Sequence, residues 1–183
     1  MVEIPKTKTT FADYTALPES NQIIELIDGE IVVNPPLDQH QQVVGDIYVF
    51  LASLLRRSGT LRIAPTGVRF DDLNSFEPDI FWVRPDSPSC VLTNDQRYWY
   101  GAPDLIVEIL SPSTASYDRG VKFDIYEKYG VREYWLVDSE SRYVEVYTLT
   151  EQRFVRLGVF TPEKSFTSSV LGSVGVAVNA LLP

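Results

Sequence analysis

Apolar positions along this chain recur at two spacings, every second residue and every third or fourth, with turn residues between the runs at short, even intervals. Ile23-Ile24-Glu25-Leu26-Ile27 and Glu30-Ile31-Val32-Val33 flank Asp28-Gly29, a dipeptide that tolerates positive φ, so the stretch predicts a β-hairpin. From Asp38 to about Arg57, Val43, Val44, Ile47, Val49, Phe50, Leu51, Leu54 and Leu55 fall at three- and four-residue steps before Ser58-Gly59, which predicts an amphipathic helix. Residues 61–70, interrupted at Pro65 and Gly67, and residues 76–83 read as strands, followed by a polar loop over 84–97. The clearest strand follows Ala102-Pro103, where Asp104 to Leu110 are apolar apart from Asp104 and Glu108. Ser111-Pro112-Ser113-Thr114 offers capping hydroxyls to a helix ending near Tyr129, with Gly130 placed for a left-handed cap. Tyr134 to Val137 and Tyr143 to Tyr147 predict two further strands, and a β-rich tail runs on through Val170 to Leu182, whose Gly172 and Gly175 leave its state open. The order ββαβββαβ plus tail predicts an α/β (α+β) fold, a mixed sheet flanked by helices.

Composition narrows the class. The 183 residues carry 16 Lys+Arg against 25 Asp+Glu, a formal charge of −9, with 44% apolar residues. A chain of this length buries roughly 70% of its unfolded surface, enough for a core, and its apolar content excludes a disordered acidic chain. The expectation is one domain over 1–183, with residues 1–13 a loosely ordered arm. The single Cys90 cannot close an intramolecular disulfide, and no paired-Cys metal motif, leader-like run or membrane-length apolar stretch is visible, so a reducing cytoplasm is expected. A pI near 4.6 speaks against indiscriminate nucleic-acid binding, which depends on neutralising phosphates. Such a partner needs a local basic patch; Arg56, Arg57, Arg62, Arg69, Arg84 and Arg119 are its candidate members.

Three residues stand out against this pattern. Strand alternation turns Leu105, Val107 and Ile109 one way and Asp104, Ile106, Glu108 and Leu110 the other, which places Glu108 between apolar neighbours. Burying a carboxylate costs several kcal/mol unless it is paired or binds a metal, so Glu108 is either an ion-pair partner or a ligand. Asp79 opens another apolar strand, on the face of Phe81 and Val83. Alone it reads as a turn residue; beside Glu108 on a neighbouring strand it supplies a second hard oxygen ligand suited to Mg²⁺. On the following helix Val121, Ile125 and Tyr129 form an apolar stripe, and Asp118, Lys122 and Tyr126 a row along its edge. Lys122 then either pairs with Asp118 or reaches the carboxylates. His40 is a boundary residue or a proton carrier. Tyr98, Trp99, Tyr100, Tyr134 and Trp135 fit core packing better than base stacking, and Cys90 is assigned no nucleophilic role. Gly-rich phosphate loops, GxSxG elbows and dinucleotide fingerprints are absent from the sequence.

Pro78-Asp79, the run Pro103 to Thr114, Asp118, Lys122, and Tyr129-Gly130-Val131-Arg132-Glu133-Tyr134-Trp135-Leu136-Val137-Asp138 together resemble the Uma-type family of bacterial endonucleases, in the PD-(D/E)XK, restriction-endonuclease-like superfamily. The likeness runs from Tyr14 to the end and includes the Asp28-Gly29-Glu30 hairpin and His40. It implies a restriction-endonuclease-like mixed sheet and a Mg²⁺-dependent endodeoxyribonuclease, with Mn²⁺ as a substitute ion and DNA as the partner. It assigns Asp79 and Glu108 as metal ligands and Lys122 as the catalytic lysine, with Glu30 and His40 as accessory groups. The superfamily lysine usually sits two residues after the Glu; here that place is Leu110, so Lys122 on the helix takes the role. A homodimer is the assembly that would suit cutting two strands. The rival reading is a non-catalytic nuclease-fold module for self-association or partner binding, which predicts no Mg²⁺ or Mn²⁺ affinity. Two-carboxylate hydrolysis of a sugar bond fits the lysine-linked set poorly.

Overall fold

The computed structural model describes residues 8–18, 20, 22–33, 37–55 and 58–182. Among these the chain forms α1 (Phe11–Thr15), the hairpin β1 (Ile24–Ile27) and β2 (Glu30–Val33), and α2 (Asp38–Leu55). Then come β3 (Thr60–Ile63), β4 (Val68–Arg69), β5 (Ser75–Phe76), β6 (Ile80–Val83), β7 (Cys90–Leu92), β8 (Trp99–Gly101) and β9 (Leu105–Ile109). Helices α3 (Ala115–Asp118) and α4 (Val121–Tyr129) precede β10 (Glu133–Asp138), β11 (Tyr143–Thr150), β12 (Arg153–Phe160), β13 (Ser165–Ser168) and β14 (Val174–Ala177).

The α+β architecture is the one expected, built from two mixed six-stranded sheets rather than one. The first has the order β2-β1-β5-β4-β8-β7, the second β12-β11-β10-β9-β6-β3, and β13 and β14 form a separate ribbon. The run 76–83, which reads as one strand, is divided at Pro78: β5 belongs to the first sheet and β6 to the second. Proline cannot donate to a ladder, so Glu77-Pro78-Asp79 becomes the crossing between sheets and delivers Asp79 to the start of β6. The hairpin is as predicted, with Asp28 and Gly29 at φ 46° and 76° and Ile27 opposite Glu30. The polar loop over 84–97 contains β7, which the sequence reading did not place.

Two apolar clusters lie on the two faces of the second sheet. Val44, Ile47 and Leu51 of α2 pack with Leu105, Val107, Ile109 and the C-terminal Val176, Val178 and Leu181. Ile106, Phe81, Tyr134 and Leu136 point the other way, against Tyr126 of α4 and Val68, Phe70 and Phe76 of the first sheet. The alternation read along β9 is therefore observed, and Glu108 shares the face between the sheets. Residues 1–7 of the expected arm lie outside the described residues; from Thr10 the chain is capped into α1, with Thr10 and Asp13 bonding reciprocally and Phe11 edge-on to Tyr98.

The helix after β9 departs from the pattern in two ways. It breaks at Arg119-Gly120 into α3 and α4, and α4 then ends on Gly130 at φ 94°. The face it buries is also the opposite of the one expected: Asp118, Lys122 and Tyr126 are buried, whereas Val121, Ile125 and Tyr129 are only partly covered. The polar row faces inward because buried charges there are paired with one another.

Candidate active site

The strands β6 and β9 are antiparallel, with Ile80 opposite Val107, which brings Asp79 opposite Glu108 at the next step. Each carboxylate is held by the other strand. The Asp79 amide donates to Glu108 Oε2 at 3.2 Å, and the Ile109 amide donates to Asp79 Oδ2 at 2.8 Å. Glu108 Oε1 accepts from the Tyr126 hydroxyl at 2.7 Å and from Lys122 Nζ at 3.2 Å. The Lys122 ammonium also contacts Glu25 Oε1 at 2.9 Å and Asp118 Oδ1 at 3.3 Å. Thus β1, β9 and α3 all contribute a carboxylate to one lysine, and the two carboxylates and lysine expected from the sequence do converge.

His40, on the first turns of α2, places Nε2 3.0 Å from the Ile109 carbonyl and 3.1 Å from Asp79 Oδ2. A carbonyl only accepts, so Nε2 carries the proton and Nδ1 is left buried without a partner. Glu30 lies elsewhere, on β2, beside the shallow depression formed by Lys8, Gly29, Tyr117 and Val121. In its place the hairpin supplies Glu25, from the preceding strand, whose Oε1 also accepts from the Glu77 amide at 2.8 Å. The sequence reading missed Glu25, although a carboxylate inside the apolar run 23–27 is the same signal that singled out Glu108.

These side chains line a cleft of about 460 Å³, counting its solvent-open mouth, where Glu25, Glu77, Asp79, Glu108 and Asp118 set five carboxylates against Lys122 and His40. Burial, reinforced by Asp118, Asp79 and Glu25, pushes Glu108 well above the usual carboxylate range against the pull of Lys122. Burial and the Glu25 charge raise Glu77 to about 7. For Lys122, burial favours the neutral amine, but Glu108, Glu25 and Asp118 outweigh it and hold the ammonium charged. For His40 the largest influence, burial, is likewise outweighed by the Asp79 hydrogen bond and charge and by the Ile109 carbonyl, so its pKa stands above the ordinary value.

An excess of buried carboxylates over cations favours binding a cation, and Glu77 Oε2 is buried without a hydrogen-bond partner. The donors are hard oxygens on Asp79 and Glu108, with no thiol or imidazole cluster. Among the described residues, no three His, Cys, Asp or Glu side chains form a preformed ligand cage. Two carboxylates on neighbouring strands are the donor chemistry of a hard divalent cation that keeps part of its water shell.

Residues 11–179 match the sequence profile of the Uma2 family, described as "Putative restriction endonuclease". The chain belongs to this family. A stretch of 46 residues is 48% identical to "Uncharacterized protein slr1290" of Synechocystis sp. (strain ATCC 27184 / PCC 6803 / Kazusa), and covers 25% of this chain and 24%, about a quarter, of that relative. The crystal structure of "a putative nuclease belonging to DUF820" from Anabaena variabilis ATCC 29413 has the same fold. It matches with a TM-score of 0.75 and 23% identity over 94% of this chain and 96% of that one. Uma2 membership covers all the cleft residues described above.

Of the arginines proposed from the sequence as a basic patch, the four among the described residues, Arg62, Arg69, Arg84 and Arg119, do not line the cleft. Arg84 pairs with Asp104, Arg69 with Asp72, and Arg119 with Glu145, while Arg62 donates to the Leu61 carbonyl. Arg56 and Arg57 lie outside the described residues. Among the described residues, no helix is long and apolar enough to cross a membrane. Cys90 is buried, and burial pushes its thiol up to about 12, in keeping with a packing role. Of the aromatic group, Trp99, Tyr134 and Trp135 are core residues.

Proposed function

We propose that this chain is a Mg²⁺-dependent endonuclease that hydrolyses phosphodiester bonds of DNA, with Mn²⁺ able to replace Mg²⁺. The observation that carries the reading is the Asp79–Glu108 pair facing across β6 and β9, with a charged lysine 3.2 Å from Glu108. The chemistry supplied when a divalent cation binds at Asp79 and Glu108 is polarisation of a phosphate oxygen and a lowered pKa for a bound water.

The protein's own groups prepare that site. Tyr126 and the Asp79 amide fix both oxygens of Glu108; His40 and the Ile109 amide fix Asp79 Oδ2. Lys122 is held charged and cannot take a proton from water, so its part is a fixed positive charge near the developing phosphorane. Glu25 and Asp118 keep that ammonium in place.

Calorimetric titration of Mn²⁺ into the protein and into Glu108→Gln tests the reading, followed on the same samples by plasmid and oligonucleotide cleavage. Metal binding and cleavage in the parent, both lost in the variant, are expected. A parent that binds no metal and cuts nothing would leave Glu108 as an ion-pair partner and favour the partner-binding module.

A further inference from the structure

Both cations of the cleft have their hydrogen-bond donors already engaged. With its carboxyls ionised, the side chains lining the cleft that carry an N–H or O–H are His40, Lys122, Ser111, Ser113 and Thr114. Lys122 has three N–H bonds and meets three carboxylates, Glu25 at 2.9 Å, Glu108 at 3.2 Å and Asp118 at 3.3 Å. The proton of His40 lies on Nε2, against Asp79 and the Ile109 carbonyl. Lys122 therefore acts on a substrate through its charge, and neither side chain has a donor to spare for a phosphate oxygen. A phosphodiester that leaves water for a cleft needs partners for its unbridged oxygens, and a bound cation supplies only part of that need.

The donors that remain are hydroxyls of the turn between β9 and α3. The sequence predicts them as helix caps, but Thr114, at the N-cap of α3, makes no side-chain cap bond. The hydroxyls are bonded to one another instead, with Ser111 Oγ 2.9 Å from Thr114 Oγ1 and 3.0 Å from Ser113 Oγ. Their direction follows from the inner end. Thr114 hydrogen-bonds the Asp118 carboxylate, which only accepts, so the Thr114 proton points there. Thr114 Oγ1 then accepts from Ser111, and Ser111 Oγ accepts from Ser113 and from the Thr114 amide at 3.3 Å. The row runs inward from Ser113 to Asp118, which pairs with Lys122.

This order commits the two inner hydroxyls and leaves the outer one able to turn. Ser113 is exposed and lines the cleft, and its proton rests on a neutral oxygen. Redirecting that proton to a phosphate oxygen replaces a neutral bond by one to a charged acceptor, roughly twice as strong, and keeps the rest of the row intact.

We infer that Ser113 contacts the substrate, its hydroxyl donating to an unbridged oxygen of a nucleic-acid phosphate in the cleft, with Ser111 and Thr114 positioning it. This rests on the nuclease reading for the identity of the substrate and names the donor that Lys122 does not supply.

The test compares the full-length parent with Ser113→Ala, Ser113→Thr and Ser116→Ala, the last an exposed serine of α3 outside the cleft lining. Fluorescence anisotropy reads binding of a labelled duplex oligonucleotide in Ca²⁺, and cleavage of the same duplex follows in Mn²⁺. Ser113→Ala should lower affinity and kcat/KM by about tenfold, whereas Ser113→Thr, which keeps the hydroxyl, and Ser116→Ala should stay within about twofold of the parent. Duplexes carrying phosphorothioates of a single configuration add a readout that a merely structural serine would not move. One of the two configurations puts sulfur, a weak acceptor, where Ser113 donates; the parent should bind it as weakly as Ser113→Ala does, with no further loss in the variant. A parent that cuts, with Ser113→Ala unchanged in affinity and kcat/KM, overturns the inference and leaves the nuclease reading standing. Binding that Ser113→Ala weakens, from a parent that does not cut in Mn²⁺, upholds the contact and overturns the chemistry. A parent that neither binds nor cuts the duplex overturns both.

Discussion

Asp79 and Glu108 are each held by the other's strand: the Asp79 amide donates to the Glu108 carboxylate, and the amide that follows Glu108 donates to the Asp79 carboxylate. Two carboxyl groups are thereby fixed side by side with little rotational freedom, an arrangement in which a shared cation favours the ionised form of both.

Replacing Asp79 by Asn preserves an oxygen for the Ile109 amide and removes the charge. The expected result is a protein with near-parental thermal stability, no calorimetric Mn²⁺ binding and cleavage reduced by about 10² or more, near 3 kcal/mol of transition-state stabilisation. Unchanged Mn²⁺ affinity would take Asp79 out of the metal site.

Lys122→Met leaves Glu25, Glu108 and Asp118 without their shared cation in a fully buried place. Breaking a buried pair in this way costs about 3–5 kcal/mol, read by urea unfolding. Adding Glu25→Gln to the variant should restore part of the loss, because it removes one of the stranded charges. Equal stability of the parent and Lys122→Met would show that the ammonium does not hold the cluster together.

Tyr126 is fully buried and its hydroxyl reaches Glu108 at 2.7 Å. Tyr126→Phe conserves the ring packing and removes one donor to a charged acceptor, for a loss of about 1.5–3 kcal/mol in stability. Because Glu108 then loses an orienting bond, Mn²⁺ affinity should weaken by about 10-fold or more, which titration of the folded variant measures directly.

Asp71 lies away from the cleft, where Tyr129, the Leu73 amide and Asn74 all donate to it. Burial, its largest influence, works against the carboxylate, but those hydrogen bonds and Lys128 outweigh it and hold the pKa below the ordinary value. A lowered folded pKa gives stability that is present above the unfolded value of about 3.9 and disappears as pH falls through the folded one. Asp71→Asn should therefore melt lower than the parent at neutral pH, and the gap should close in melts run below about pH 4.

Strand periodicity carried most of what could be read beforehand. It placed Glu108 on the correct face of β9, because side-chain alternation is a local property of the backbone, whereas the pairing with Asp79 depended on which strands are neighbours and came from the family resemblance. It failed on α4, where the rule that apolar residues point inward chose Val121, Ile125 and Tyr129 over the row that is buried. That rule has no access to partners: Lys122 is buried because Glu25 and Glu108 wait across two sheets, nearly a hundred residues and fourteen residues away. The division into two sheets was hidden for a related reason, since strands as short as Val68–Arg69 and Ser75–Phe76 leave almost no period to detect. Glu25 was legible in principle and passed over because its strand is only four residues long.

The lysine that joins β1, β9 and α3 makes the site the property of neither sheet. A chain in which the two sheets are not joined has an untethered ammonium and scattered acids, so the cluster exists only where both sheets are in place. On the proposed function, cutting therefore depends on the joint between the two sheets, and a chain that has lost that joint has no means to cleave a phosphodiester.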